Sequence, residues 1–293
     1  MMKQVFLVIL LAFGFVVGAQ NKIVKKPKKQ KPATTQVAPK KHKSQSKPTK
    51  GGTVKRVTTK ASYSNGTLTV NGIKYNMVWV DGGTFRMGAT SEQGSDADSY
   101  EKPVHSVTLS GYYIGKTEVT QALWEAVMGS NPSYWKGDNL PVESVSWDDC
   151  QEFIRKLNAL TGQNFRLPTE AEWEFACRGG NNSRGYKYSG SNYIDNVAWY
   201  WDNSGKKIHP VATKSPNELG IYDMSGNVWE WCADWFGNYS SSAQTNPKGP
   251  YDGSYRVYRG GGWGDYARLC RSSGRYCFSP GSRYCDLGLR LSL

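Results

Sequence analysis

Histidine is scarce in this 293-residue chain and Cys-x-x-Cys is absent. The three histidines, His42, His105 and His209, stand far apart, and no two of Cys150, Cys177, Cys232, Cys270, Cys277 and Cys285 have only two residues between them. A Cys/His zinc site, which draws its ligands from closely paired positions, is therefore excluded. Residues 20–60 lack both acids and aromatics while carrying fourteen Lys or Arg. Such a segment cannot bury enough apolar surface to offset its ordering entropy, and it reads as a disordered basic tether. The apolar run from Val5 to Val17 is too short to span a bilayer unaided.

With Lys3 before it and Val17-Gly18-Ala19 after it, that run has the layout of a secretory signal peptide over residues 1–19. The alternative is a retained N-terminal anchor helix. No cysteine follows Ala19 to accept a lipid. The expected destination is the periplasm, cell envelope or extracellular space, with no transmembrane segment after signal cleavage. The net charge of +13 is a property of the tether: of 37 basic residues, Lys3 and the fourteen of the tether leave 22 against all 24 acids in residues 61–293. A nearly neutral domain argues against specific nucleic-acid binding. The tether is a solvated spacer or a salt-sensitive contact for anionic lipid, polysaccharide or nucleic acid. Six cysteines in an oxidising compartment allow disulfides, in fifteen full pairings.

From residue 61 aromatics appear and turn residues recur. Thr67 to Val70, Asn71-Gly72 and Ile73 to Tyr75 spell a hairpin, because Asn-Gly supplies the positive φ angles of a tight turn. Met77 to Val80 and Thr84 to Met87 read as further strands. Thr120 caps a helix ended by Gly129. Ser146 with Asp149 opens a second helix, stopped by Gly162, and Thr169 with Glu172 opens a third. Beyond Gly179 no helix is expected and few long strands. Eleven tryptophans and eighteen tyrosines must then hold a loop-rich body together.

Seven segments follow one another: Val80-Asp-Gly-Gly-Thr-Phe-Arg-Met-Gly88, Lys116-Thr-Glu-Val-Thr120, Pro141-Val-Glu-Ser-Val-Ser-Trp147, Arg166-Leu-Pro-Thr-Glu-Ala-Glu-Trp-Glu174, Gly226-Asn-Val-Trp-Glu-Trp231, Arg259-Gly-Gly-Gly-Trp263 and Leu287-Gly-Leu-Arg290. In this order the chain resembles the formylglycine-generating-enzyme, or sulfatase-modifying-factor, family over roughly residues 77 to 291. The resemblance implies an α+β, loop-rich fold of low regular structure, related to C-type-lectin-like domains, over residues 61–293. It also implies an activity: active members oxidise a cysteine of a client sulfatase to formylglycine with oxygen and copper(I), held by two cysteines with four residues between them. A sister branch that joins sulfur to histidine betaines needs an extra histidine-bearing domain for which this chain lacks length and histidines.

That copper pair is broken. Counting forward from Gly260-Gly261-Gly262, Asp265 stands at the first cysteine position and Cys270 at the second; counting back from Leu287-Gly288, Arg275 meets a family arginine and Cys270 drifts off. One hard oxygen and one soft sulfur make a poor copper(I) site, so copper is not expected. The family's calcium loop is better kept. The resemblance assigns Asp223 and Glu230 as side-chain ligands and Gly226 and Val228 as carbonyl ligands, an all-oxygen set suited to calcium; alternatively the two acids bond loop amides. A second, weaker calcium position maps to Asn196 and Val197. The family fold is further expected to bring Cys232 and Cys270 together, close enough for a disulfide, with free thiols or a Cys177–Cys270 bridge as alternatives. Trp229, Trp231, Trp235 and Trp263 are core residues or line a ligand groove, and Asp234, Arg268, Arg271, Arg275 and Arg290 are buried ion pairs or groove residues.

The resulting expectation is an exported, catalytically degenerate member: a calcium-stabilised binding or structural module for an unknown protein or glycan of the cell envelope. The alternatives are a formylglycine-generating oxidase and a lectin-like glycan or protein binder.

Overall fold

The computed structural model describes residues 59–293. The assignments made for residues 1–19 and for the tether up to residue 58 lie outside the described residues.

Three small sheets and three helices carry the regular structure. Strands β1 (Ala61–Ser64), β2 (Thr67–Val70) and β3 (Ile73–Val80) form an antiparallel meander, and β6 (Tyr112–Gly115) joins its far edge. The hairpin expected at Asn71-Gly72 is present, both residues lying at positive φ. β1 was not expected, although Asn65-Gly66 before β2 repeats the same turn chemistry at φ 48° and 74°. A second sheet pairs β4 (Gly83–Met87) with β5 (His105–Leu109) and β8 (Gln244–Thr245). The third runs in the order β10 (Arg275–Phe278), β9 (Arg256–Arg259), β7 (Trp229–Trp235) and β11 (Leu287–Leu289), with β11 parallel to β7. It lies in the region beyond Gly179, where few long strands were expected, and its strands are short, three to seven residues each.

The helices start and stop where their caps require. In α1 (Gln121–Met128) Thr120 accepts the Leu123 N–H, and Gly129 closes the helix at φ 81°. α2 (Trp147–Thr161) and α3 (Glu170–Cys177) each open on a full capping box, Ser146 with Asp149 and Thr169 with Glu172. α1 and α2 turn Leu123, Trp124, Phe153 and Leu157 onto β2, β3 and the buried ends of β7 and β11, while α3 packs against β4, β5 and β9. No helix among the described residues is long and apolar enough to cross a membrane.

The interior is held as much by ion pairs as by apolar contacts. Arg290 grips Glu230, Arg271 grips Glu101 and Arg275 grips Glu170, each at 2.6 Å and each almost fully buried. Arg259 bonds Glu174, which also receives Arg178 at 2.8 Å and the Gly88 N–H at 2.9 Å. Arg271, Arg275 and Arg290 thus fall on the ion-pair side of their two readings. Arg268 stays exposed, giving only its carbonyl to Arg271. Asp234 accepts the Glu170 N–H at 2.9 Å at the first turn of α3 and borders a cavity of about 280 Å³ beside His105 and Tyr239. Trp231 is core, its indole bonded to the Val145 carbonyl at 3.1 Å. Trp235 and Trp147 sandwich the Arg256 guanidinium at 3.4 and 3.8 Å from their ring centres.

Candidate functional site

On the third sheet, β7, β9 and β10 bring Trp229, Tyr258 and Tyr276 to one face. The Trp229 ring stands edge-on to Tyr258 and Tyr276 at 4.8 and 5.3 Å between centroids. Phe278 stacks on Tyr258 at 5.2 Å, and Tyr284 stacks on Phe278 at 4.7 Å. These rings wall a cavity of about 270 Å³ whose remaining lining is Asp265, Asp286, Leu269 and Leu287. Strand alternation explains the walls, since a sheet face collects every second residue and the loops 260–270 and 279–286 close over it. Aromatic spacing within β7 was visible in the sequence; the convergence of rings from three strands was not.

Two carboxyls sit in this cup. Asp265 accepts the Gly262 N–H at 2.9 Å, and burial raises its pKa against the pull of that N–H, the Trp229 indole and Arg268. Burial and the charge of Asp265 push Asp286 up to about 6. Glu143, whose charge also raises Asp286, is occupied by the Trp135 N–H at 3.0 Å and the Ser144 hydroxyl at 2.7 Å. Trp263 borders the region outside the cup, edge-on to Trp135 at 5.0 Å.

Behind the cup lies Cys270. It is fully buried among Tyr188, Val197, Ala198 and Tyr200. Gly261, at φ 79°, passes so close that a Cβ there would stand 2.6 Å from the Cys270 sulfur; only glycine allows that approach. Burial, and then the charge of Asp265, drive the Cys270 thiol well above its ordinary value. A thiol that stays protonated is neither a ready nucleophile nor a ready metal ligand.

The Cys232–Cys270 bridge expected from the resemblance is not formed. All six cysteines are free. Cys232 points into the α3-side core with Val257 and Ile221, whereas Cys270 belongs to the separate cluster around Tyr188 and Tyr200. The Cys177–Cys270 alternative is likewise unformed, Cys177 directing its sulfur at the Met224 carbonyl at 3.7 Å.

The loop before β7 forms the second feature. Asp223 and Asn227 adopt positive φ, 58° and 63°, and Gly226 packs against the Trp199 backbone too closely for any side chain. Asp223, 4% exposed, accepts the Ala212 N–H at 2.7 Å through Oδ2, and among the described residues no protein donor meets its Oδ1. Burial pushes Asp223 up to about 6. Glu118, missed in the sequence because it lies a hundred residues away, receives Asn227 Nδ2 at 3.0 Å and the Val228 N–H at 3.2 Å. Burial, and next the charge of Asp223, raise it well above the carboxylate range. Glu230 is already bonded within the protein. Its two oxygens already take three contacts from Arg290, at 2.6 to 3.2 Å, and the Trp173 indole at 2.7 Å. Three donors thus make four contacts, the number of lone pairs a carboxylate offers. Among the described residues no three His, Cys, Asp or Glu side chains converge as metal ligands; the expected calcium set needs only two. Asn196 is exposed and gives its carbonyl to the Ser215 N–H, while Val197 is buried beside Cys270. Nearby, the Asn203 side chain bonds the Tyr200 N–H and the Ala198 carbonyl.

Residues 68–293 match the family of sulfatase-modifying factor enzyme 1-like domains. The chain belongs to this family. A chaperone protein LppX of Paenibacillus barcinonensis is 35% identical over 266 residues, covering 74% of this chain and 88% of that protein. The formylglycine-generating enzyme of Streptomyces coelicolor is 31% identical over 282 residues, covering 73% and 87%. Among solved structures, Treponema denticola variable protein 1 superposes with a TM-score of 0.69 at 36% identity over 77% of this chain and 97% of that one. The sulfatase-modifying-factor fold therefore accounts for the mixed small sheets, short helices and long ordered loops. The family's copper chemistry does not fit the residues present: on the count forward from Gly260, a carboxyl and a sealed thiol stand at the paired positions, and among the described residues no second sulfur is bonded to or clustered with Cys270.

Proposed function

We propose that this protein is an exported, non-oxidising member of the sulfatase-modifying-factor family that acts as a binding module through the aromatic cup. One observation carries the reading: at the family's first thiol position Asp265 faces a cavity walled by aromatic rings, while the thiol at the second, Cys270, is sealed behind it. Copper(I) prefers two soft thiolates, and an oxygen paired with a protonated, buried sulfur offers neither softness nor access. A relative named as a chaperone supports a role that holds a partner and leaves it chemically unchanged. The test is direct: reduced protein, copper and oxygen are incubated with a cysteine-bearing sulfatase peptide, and the peptide is weighed by mass spectrometry. No change of mass is expected; conversion of the cysteine to formylglycine would overturn the reading.

Calcium belongs to the same proposal as a stabiliser of the loop before β7. Asp223, Glu118 and Glu230 are three buried carboxyls balanced by the single guanidinium of Arg290, and a divalent cation offsets such an excess of negative charge. Asp223 and the carbonyls of Gly226 and Val228 would hold the ion, with Glu118 adding charge and Glu230 kept in place by Arg290. A ligand that binds only the folded state adds about 2.7 kcal/mol at a hundredfold excess over Kd. Chelator should accordingly lower the melting temperature by several degrees, and Asp223→Ala should abolish the response. An unchanged melting curve on chelation would remove calcium from the account.

A further inference from the structure

We infer that the aromatic cup receives the protonated tip of a lysine or arginine side chain from a partner polypeptide. This rests on the binding-module reading and names the class of ligand that the same site takes. The lining decides it. Trp229, Tyr258, Tyr276, Phe278 and Tyr284 present ring faces and edges, and among the described residues the only charged lining groups are Asp265 and Asp286, with no lysine, arginine, asparagine or glutamine bordering the cavity. Aromatic faces attract cations through the ring quadrupole, and two carboxyls held close together repel each other until a positive group enters between them. A sugar would draw on donors as well as acceptors, and two of the lining donors are already spent, the Trp229 indole on Asp265 and the Tyr276 hydroxyl on Asp98, which leaves the carboxyls as the dominant polar groups of the cup.

A second observation points the same way. Tyr258 is only 8% exposed, yet among the described residues its hydroxyl makes no protein hydrogen bond. Asp265 and Asp286 are the charges, with Cys277 and Tyr284, that act on that hydroxyl. The ring is buried while the hydroxyl itself opens into the cavity. Here it lines a cavity and remains available as an acceptor for an N–H of the ligand. Asp286 is similar, since its side chain has no protein donor besides its own backbone N–H. An ammonium with three N–H groups, or a guanidinium with five, satisfies Asp265, Asp286 and Tyr258 together, while its alkyl stem lies along the rings.

Titration of the full chain with the peptide Gly-Ser-Lys-Ser-Gly, followed by tryptophan fluorescence and by NMR, tests the inference. Saturable one-site binding is expected, weakened at least about tenfold, or 1.4 kcal/mol, when the lysine is acetylated. Asp286→Asn and Tyr258→Phe should each weaken binding several-fold with the melting temperature held, which separates loss of the ligand from loss of the fold. Equal binding of the acetylated peptide would overturn the inference, and so would binding of spermidine without binding of the peptide. Binding of neutral glycans with no response to either cation would overturn it while leaving the module reading in place. Oxidation of a client cysteine would instead defeat the module reading itself.

Discussion

Replacing Arg290 by methionine is expected to cost about 3–5 kcal/mol of stability, the usual effect of leaving a buried charge without its partner. The reasons are local. Arg290 is fully buried, bonds Glu230 at 2.6 and 2.9 Å, and also holds the Gly115 and Tyr222 carbonyls at 2.8 Å. It is the cation that lowers Asp223 and Glu118 against their burial. Without it three carboxyls share one low-dielectric pocket. At roughly 2–4 °C per kcal/mol for a domain of this size, the melting temperature should fall by roughly 10 °C. Removing both charges, as in Arg290→Met with Glu230→Leu, should recover a large part of the loss, because a matched apolar pair often replaces a buried ion pair at little cost. A loss below about 1 kcal/mol for the single variant, the range of a surface pair, would show that the pocket is wetter than the geometry implies.

Asp234→Asn is expected to stabilise the protein at alkaline pH and to leave it unchanged in acid. Burial, and then the charge of Glu170, push Asp234 up to about 7, whereas an unfolded aspartate titrates near 3.9. Between about pH 4 and 7 the folded form keeps a proton that the unfolded chain has released, so this residue's contribution to stability falls as pH rises through that window and is level above it. Each pH unit of separation corresponds to about 1.4 kcal/mol, which sets a ceiling of about 4 kcal/mol on the gain at pH 8. An asparagine keeps an oxygen for the Glu170 N–H and carries no charge at any pH. Denaturant unfolding of both proteins from pH 4 to pH 8 gives the difference curve. A flat curve would mean that Asp234 is already ionised at little cost in the fold, through water in the adjoining cavity.

What could be read from the sequence follows the range of the interactions. Thr120, Ser146 with Asp149, and Thr169 with Glu172 announce helix starts within four residues, and Asn71-Gly72 announces its turn within two; these elements are present as expected. The third sheet was scarcely visible. Its members β7, β9, β10 and β11 come from separate stretches, and within Trp229 to Trp235 the alternation of Trp229-Glu230-Trp231 breaks at Cys232-Ala233, since most of the strand is buried on both faces. Pairings across long separations were equally hidden: Glu118 meets Asn227 across 109 residues, and Arg271 meets Glu101 across 170. Glu230 has protein partners that its place in the family pattern did not announce. The residue stands at the calcium-ligand position, but its lone pairs are taken by Arg290 and Trp173. The disulfide expectation failed for a related reason, since Cys232 and Cys270 lie in separate clusters of side chains that only the fold reveals.

The central claim is that Asp265 at a thiol position, with Cys270 sealed behind it, makes this cup a binding site without copper chemistry. Copper(I) titration of the reduced protein against a competing chelator, run beside Asp265→Cys, tests it most directly. The account predicts no tight copper(I) on either protein, because the new thiol supplies softness at the first position but leaves Cys270 buried and protonated behind the cup. One equivalent bound tightly by the natural protein, and lost on Cys270→Ser, would contradict it.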